Sequence, residues 1–340
     1  MPHQLFKTDE AQSLVSNQIE DQGPGASSHC GGKARPTIAI LMCTFNGARF
    51  LREQLDSFEA QSFTDWVLYI SDDGSTDTTM QIIQEYQNCW GAKRLIRLDG
   101  PRTGFAQNFL SLIRLSEIKA DYFAFSDQDD IWFSDKLSRA LSVLQDMAPD
   151  KPNLYCSRTR LVNEAGAVTG HSPLFGKPPA FRNALVQSLA GANTMLINDT
   201  ARRILAQVPP STDIVAHDWL TYLVASGCGG EVHYDAQPSL DYRQHRNNLI
   251  GSQSTWGDRF RRLGGLWSGK RQAWTDANIH VLETINAPLT IESRATLMHF
   301  KRGRSLGLPT RLREIRKSGV YRQTFAGSLS LYLAACLGKV

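Results

Sequence analysis

The six cysteines of this 340-residue chain (Cys30, Cys43, Cys89, Cys156, Cys228 and Cys336) include no CxxC pair and no Cys/His spacing suited to zinc. No signal peptide opens the chain, so a reducing cytoplasm is the expected setting. No window reaches the roughly 18 to 20 apolar residues that a spanning helix needs. The uncharged candidate Phe325 to Gly338 is too short and is broken by Gly and Ser. Neither GxxxxGK[ST] nor a strand-linked GxGxxG is present, which argues against a P-loop or dinucleotide-binding turn. No internal repeat is visible. With 41% hydrophobic residues the chain has ample material for a large core.

Charge is unevenly distributed. Between Arg259 and Arg322 fourteen Lys/Arg stand against four Asp/Glu, so the formal charge of +4 conceals an acidic remainder and a basic C-terminal region. Residues 1–36 are polar, lack apolar periodicity and contain Gly23-Pro24-Gly25-Ala26-Ser27-Ser28, the composition of a flexible arm. From Thr37 short apolar runs alternate with helical spacing. Thr37 to Cys43, Trp66 to Ser71, Arg94 to Leu98 and Tyr122 to Ser126 read as strands; Leu51, Leu55 and Phe58, then Ile83 and Tyr86, then Phe105, Phe109 and Leu112 mark helical faces between them. This alternation implies parallel βαβ units. Further on, strands are expected at Leu154 to Ser157, Asn193 to Ile197 and Glu231 to Tyr234, and a helix near Asp218 to Ala225. From Ser254 the pattern is helical, with breaks at Gly264-Gly265, Pro288 and Gly307 to Pro309.

Ligands of open α/β sheets bind beyond the carboxyl ends of the strands. There the chain carries Cys43-Thr44-Phe45-Asn46, Asp72-Asp73-Gly74-Ser75 and Asp127-Gln128-Asp129-Asp130. Three carboxylates within four residues repel one another unless a cation or hydrogen-bond donors compensate, and a hard divalent cation such as Mg²⁺ or Mn²⁺ does so together with phosphate oxygens. The alternative is a solvated acidic loop with Asp130 or Ser134 as a helix N-cap. Asp72 to Asp77 reads either as a ligand-binding turn or as a plain strand-to-helix turn capped by Ser75.

Thr37 to Leu55, Asp72-Asp73-Gly74-Ser75-Thr76-Asp77, Arg102 to Asn108 and Ser126-Asp127-Gln128-Asp129-Asp130-Ile131-Trp132 occur together and in order, and in this combination the chain resembles the family 2 glycosyltransferases. The resemblance spans roughly residues 37–250. It implies an α/β GT-A fold, a Rossmann-like nucleotide-diphospho-sugar transferase domain whose mixed sheet is flanked by helices. That domain would occupy 37–253, divided into a nucleotide-binding half (37–150) and an acceptor half (151–253), followed by the basic helical region 254–340. Carried over by position, Thr44, Phe45 and Asn46 would lie along the nucleotide base, and Asp73 would bind its ring edge or ribose. Asp127 and Asp129 match the DxD carboxylates, Asp129 being the direct metal ligand, while Gln107, Asn108 and Gln128 would sit near the nucleotide.

Ala216-His217-Asp218-Trp219-Leu220 resembles the family segment that supplies the general base. Many relatives read Glu-Asp where this chain has His217-Asp218, so the base role passes to Asp218, with His217 and Trp219 at the acceptor or sugar site. On its own Asp218 also reads as an ordinary acidic residue at a helix start. The stretch Asp241 to Asn248 gathers cationic and amide donors suited to phosphate. Within it Tyr242-Arg243-Gln244-His245 resembles bacterial rhamnosyltransferase-like relatives, which makes His245 a metal or diphosphate contact, the other reading being a structural histidine.

The implied activity is inverting, metal-dependent transfer from a nucleotide sugar to a glycan acceptor in surface polysaccharide synthesis. dTDP-L-rhamnose is the first expected donor and UDP-sugars are the alternative. A sugar nucleotidyltransferase would need a glycine-rich phosphate loop that Thr44-Phe45-Asn46-Gly47 does not provide. A nucleic-acid-binding module is suggested only by the basic region, which leaves the acidic strand ends unexplained, so no nucleic-acid partner is expected. The same basic region reads as a peripheral contact with an anionic membrane carrying lipid-linked acceptors, or as solvated helix faces.

Overall fold

The computed structural model describes residues 35–245 and 270–340. Most of the expected arm, the Gly264-Gly265 break, and Arg246, Asn247 and Asn248 of the donor-rich stretch lie outside these residues. The first half runs β1 (Ile38–Thr44), α1 (Leu51–Glu59), β2 (Trp66–Asp72), α2 (Thr79–Trp90), β3 (Leu95–Asp99), α3 (Phe105–Arg114), β4 (Tyr122–Ser126), β5 (Ile131–Trp132) and α4 (Lys136–Gln145). The second runs β6 (Leu154–Val162), β7 (Val168–His171), α5 (Phe181–Ala184), β8 (Leu196–Asn198), α6 (Asp199–Leu205), α7 (His217–Gly227) and β9 (Val232–Arg243). Four helices follow, α8 (Lys270–Thr284), α9 (Ile291–Ser305), α10 (Leu308–Ser318) and α11 (Phe325–Cys336).

Among the described residues nine strands form one sheet in the order β3-β2-β1-β4-β8-β6-β9-β5, with β7 paired to β6. β1 to β4 pair in parallel, whereas β8 is antiparallel to both β4 and β6. β1 is apolar almost throughout because both its faces are covered. Ala39 and Leu41 enter a core with α3, α6 and α7, while Ile38, Ile40 and Met42 enter one with α1, α2 and α4. β1 leads through α1 to β2 on one side, and β4 lies on its other side. The strand order therefore reverses at β1/β4, which opens a crevice beyond their carboxyl ends.

Among the described residues the C-terminal helices build no separate core. Val281 of α8, Phe300 of α9 and Ile315 of α10 are fully buried in the same cluster as Leu220 and Leu223 of α7. α7 is thus clamped between the sheet and the last quarter of the chain.

Several local expectations change. The strand expected at Asn193 to Ile197 is a 3₁₀ turn (Ala192–Thr194) before the short β8. Thr194 Oγ1 donates to the Gly191 carbonyl and Asn193 turns inward, so side-chain bonding competes with the ladder there. The strand expected at Glu231 to Tyr234 continues to Arg243, past Pro238. The proline is tolerated because it pairs with Arg158 where the β6–β9 register shifts. Neither Asp130 nor Ser134 caps α4, whose preceding residue is Asp135. Ser75 does not cap α2, which begins four residues later.

Candidate active site

The loops after β1 and β2 hold one another. Asp72 is the structural member of its acidic pair: its carboxylate accepts from Thr44 Oγ1 (2.8 Å), Ser75 Oγ (2.6 Å) and the Gly74 and Ser75 amides. Asp73, half-buried, accepts from the Arg102 amide at 2.6 Å and the Gly104 amide at 3.3 Å. Asn46 takes a left-handed φ of 49°. In that conformation its amide reaches Ser75 Oγ and its Oδ1 accepts from the Thr76 amide, both at 2.8 Å. Between these braces Phe45 stands 57% exposed, an aromatic ring of the kind that stacks on a base.

Each residue of the acidic motif after β4 faces a different partner. Gln128 grips the backbone of Phe45 at both ends, accepting from its amide (2.9 Å) and donating to its carbonyl (3.1 Å). A Cβ on Gly47 would lie 2.2 Å from Gln128 Oε1, so a side chain there would displace the Gln128 amide from Phe45. Asp129 Oδ2 lies 2.7 Å from His245 Nε2, and the Asp129 carbonyl accepts from Arg243 Nε. Asp130 is fully buried. Its Oδ2 accepts from Asn193 Nδ2 at 2.6 Å and its Oδ1 has no hydrogen-bond partner. Burial, then Asp129 and Asp127, hold its carboxyl well above the usual range. Burial pulls the nearby Lys136 ammonium down to about 7, against the opposing effect of Asp130.

Asp127 remains half-buried in the crevice. Burial, with Asp129 and Asp218 nearby, pushes its carboxyl up to about 7. The α7 residue Asp218 is thereby brought from the second half of the chain to face the acidic motif of the first. Burial raises the Asp218 carboxyl to about 6, although the Trp219 amide donates to its Oδ1 at 2.7 Å. A carboxylate of that basicity is ionised at neutral pH yet accepts a proton more readily than an ordinary aspartate.

Six expected ligand contacts serve as braces or packing groups instead. Thr44 is 1% exposed and bonded to Asp72. Asn108, also 1% exposed, spends both amide atoms on Ser71 of β2, tying α3 to the sheet. Gln107 Nε2 donates to the Thr212 carbonyl. His217 is stacked on Phe109 with centroids 4.0 Å apart, flanked by Phe105 and Phe125, and neither ring nitrogen has a partner. Burial brings its pKa down to about 3, so it is a neutral packing ring with no open face for an acceptor. Trp219 points away from the acidic motif, with Nε1 donating to the Ala184 carbonyl and its ring edge-on to Trp274 of α8. Arg243, expected to meet phosphate, is 2% exposed and anchors Glu53, the Glu164 carbonyl and the acidic motif. The residues left at the crevice are Phe45, Asn46, Asp73, Asp127, Asp129, His245 and Asp218. Asp72, Asn193 and Arg243 are the supports that sequence reasoning missed; only the doubled Asp72-Asp73 hinted at one of them.

The glycosyl transferase family 2 model matches residues 39–181. A dTDP-rhamnosyl transferase, RfbG of Shigella flexneri, is 32% identical over 236 residues, covering 66% of this chain and 78% of that protein. Among solved structures, the 1–349 portion of S. aureus TarS in complex with UDP-GlcNAc superposes with a TM-score of 0.53 at 14% identity, over 82% of this chain and 79% of that one. Its UDP complex gives the same TM-score at 15% identity, over 89% and 88%. These likenesses agree with the GT-A arrangement of the sheet, and with the sequence match they make this chain a member of glycosyl transferase family 2 and a glycosyltransferase.

Proposed function

We propose that the chain is an inverting, cation-dependent glycosyltransferase that moves L-rhamnose from dTDP-L-rhamnose to a glycan acceptor in surface polysaccharide synthesis. It would work on the cytoplasmic side, in peripheral contact with the membrane that carries a lipid-linked acceptor. The observation that supports this best is the approach of Asp218 to Asp127: a basic carboxylate from the acceptor half faces the carboxylates of the nucleotide half.

The acidic motif fits a hard divalent cation, Mg²⁺ or Mn²⁺. Burial, and then the neighbouring Asp129 and Asp218, raise the Asp127 carboxyl, so a cation there would favour its ionised form. A cation of this kind takes one or two carboxylates and completes its shell with phosphate oxygens and water. Asp129 and Asp127 would supply its protein ligands, with His245, bonded to Asp129, as a further metal or diphosphate contact. When bound, such a cation stabilises the charge that develops on the leaving nucleoside diphosphate.

Phe45 offers a stacking face to the base, and Asp73, still with lone pairs to spare, an acceptor for its ring edge or the ribose. Asp218 removes the proton of the acceptor hydroxyl as it attacks C1 from the face opposite the diphosphate, and this single displacement inverts the anomeric centre. The donor assignment draws on RfbG, described as a dTDP-rhamnosyl transferase.

A thermal-shift screen of nucleotide sugars with Mn²⁺ or Mg²⁺ tests the donor, since a ligand stabilises according to its occupancy. dTDP-L-rhamnose is expected to raise Tm more than UDP-glucose or UDP-galactose at equal concentration. A larger shift with either UDP-sugar overturns the rhamnose reading and leaves the family assignment intact. The base also sets a pH dependence. Asp218 works only when ionised and its pKa lies at about 6, so kcat/KM is expected to fall about tenfold per unit as pH drops below about 6. A profile flat down to pH about 4.5 removes Asp218 from the role.

A further inference from the structure

Helix α11 carries no charged residue and is apolar around most of its circumference, a pattern that belongs inside a core or against lipid. Only one side is covered: Leu331 and Ala335 are buried in the core. On the other, Phe325 (83% exposed), Leu329 (51%) and Leu333 (57%) recur every fourth residue and Leu337 (62%) continues the row. Ala326 and Cys336, also exposed, lie beside them. At 3.6 residues per turn these positions form a continuous stripe about 120° wide. A stripe of this kind on a folded surface marks a contact with something else.

Length and charge identify the contact. Twelve residues make a helix of about 18 Å, too short for the roughly 30 Å of bilayer hydrocarbon. Indeed, no helix among the described residues is long and apolar enough to cross a membrane. From Leu308 to Val340 there are six Lys/Arg and one acidic residue, Glu314. Glu314 is buried, with His299 Nδ1 at 2.8 Å and Lys317 Nζ at 3.4 Å. Arg313, Arg316 and Lys317 are exposed on α10, which packs against α11. A second copy laid face to face would bring like charge against like charge, whereas acidic headgroups pair with it.

We propose that α11 is an interfacial helix that lies in an anionic bilayer surface with Phe325, Leu329 and Leu333 inserted and the neighbouring cations on the lipid phosphates. This narrows the peripheral contact proposed above to one helix face, and it depends on neither the donor nor the reaction.

Co-sedimentation of the full chain with phosphatidylcholine vesicles, with and without phosphatidylglycerol, tests it. The wild type is expected to bind the anionic vesicles, less so as salt is raised, and to bind neutral vesicles weakly. Leu329→Glu combined with Leu333→Glu, at positions already facing water, is expected to keep the thermal melt and lipid-free donor hydrolysis and to lower the partition coefficient about tenfold or more. Equal partitioning of wild type and variant overturns the proposal. So does a lipid-free dimer, seen by light scattering, that the variant converts to monomer, since that assigns the stripe to a second copy. Because donor hydrolysis is read in the same preparations, a failure of the glycosyltransferase reading shows separately from a failure of lipid binding.

Discussion

Asp218→Asn is expected to fold, bind nucleotide and cation as the wild type does, and transfer sugar about 10² to 10⁴-fold more slowly. The substitution is nearly isosteric, and the amide oxygen of Asn still accepts from the Trp219 backbone amide, so the first turn of α7 keeps its bond. What is lost is the proton acceptor. The loss should fall on kcat, with donor affinity preserved, because Asp218 faces the acidic motif from the acceptor half. Single-turnover transfer with titration calorimetry of the nucleotide separates the two quantities. Near-normal turnover would move the base elsewhere, to Asp213 or another acid on the same side; His217, neutral and enclosed by phenyl rings, is a poor substitute.

Asp129→Ala is expected to weaken cation-dependent binding of the nucleoside diphosphate about 100-fold or more, since even outer supports of metal ligands are worth 10- to 100-fold. The variant tests the side chain cleanly. The bond from Arg243 that fixes this part of the loop goes to the Asp129 carbonyl, which alanine retains, and the side chain pairs with His245. Calorimetry with and without EDTA gives the answer. Affinity unaffected by both EDTA and the substitution rejects the cation assignment and leaves the acidic motif as a structural junction.

The βαβ half was legible because its strands are short apolar runs, β1 and β4 buried on both faces; β1, β2, β3 and β4 lie within a residue of their expected bounds at each end. The second half was harder to read. β9 carries Asp235, Gln237 and Pro238 in mid-strand, signals of a turn, and only its shifted pairing with β6 allows the strand to pass through. At the site the motifs marked the right loops but not which member of each points into the crevice. Asp72 and Asp73 are equivalent in sequence and opposite in use, because Thr44 and Ser75 close around the first. Asn108 and His217 looked like ligand contacts by position. Their neighbours Ser71 and Phe109, 37 and 108 residues away in the chain, make one a brace and the other a packing ring.

The four residues after β4 are each aimed at a different part of the molecule: Asp127 at the crevice, Gln128 at the loop after β1, Asp129 at the end of β9, and Asp130 at the turn before β8. Such a segment has no room for an insertion or a deletion. One extra residue between Ser126 and Ile131 would shift every later side chain onto its neighbour's direction, breaking the bonds that this segment makes to Phe45, His245 and Asn193 together. Point changes there are separable, but the spacing is a single indivisible unit, and tolerance to a one-residue length change is expected to be far lower than in the exposed turn from Glu164 to Ala167.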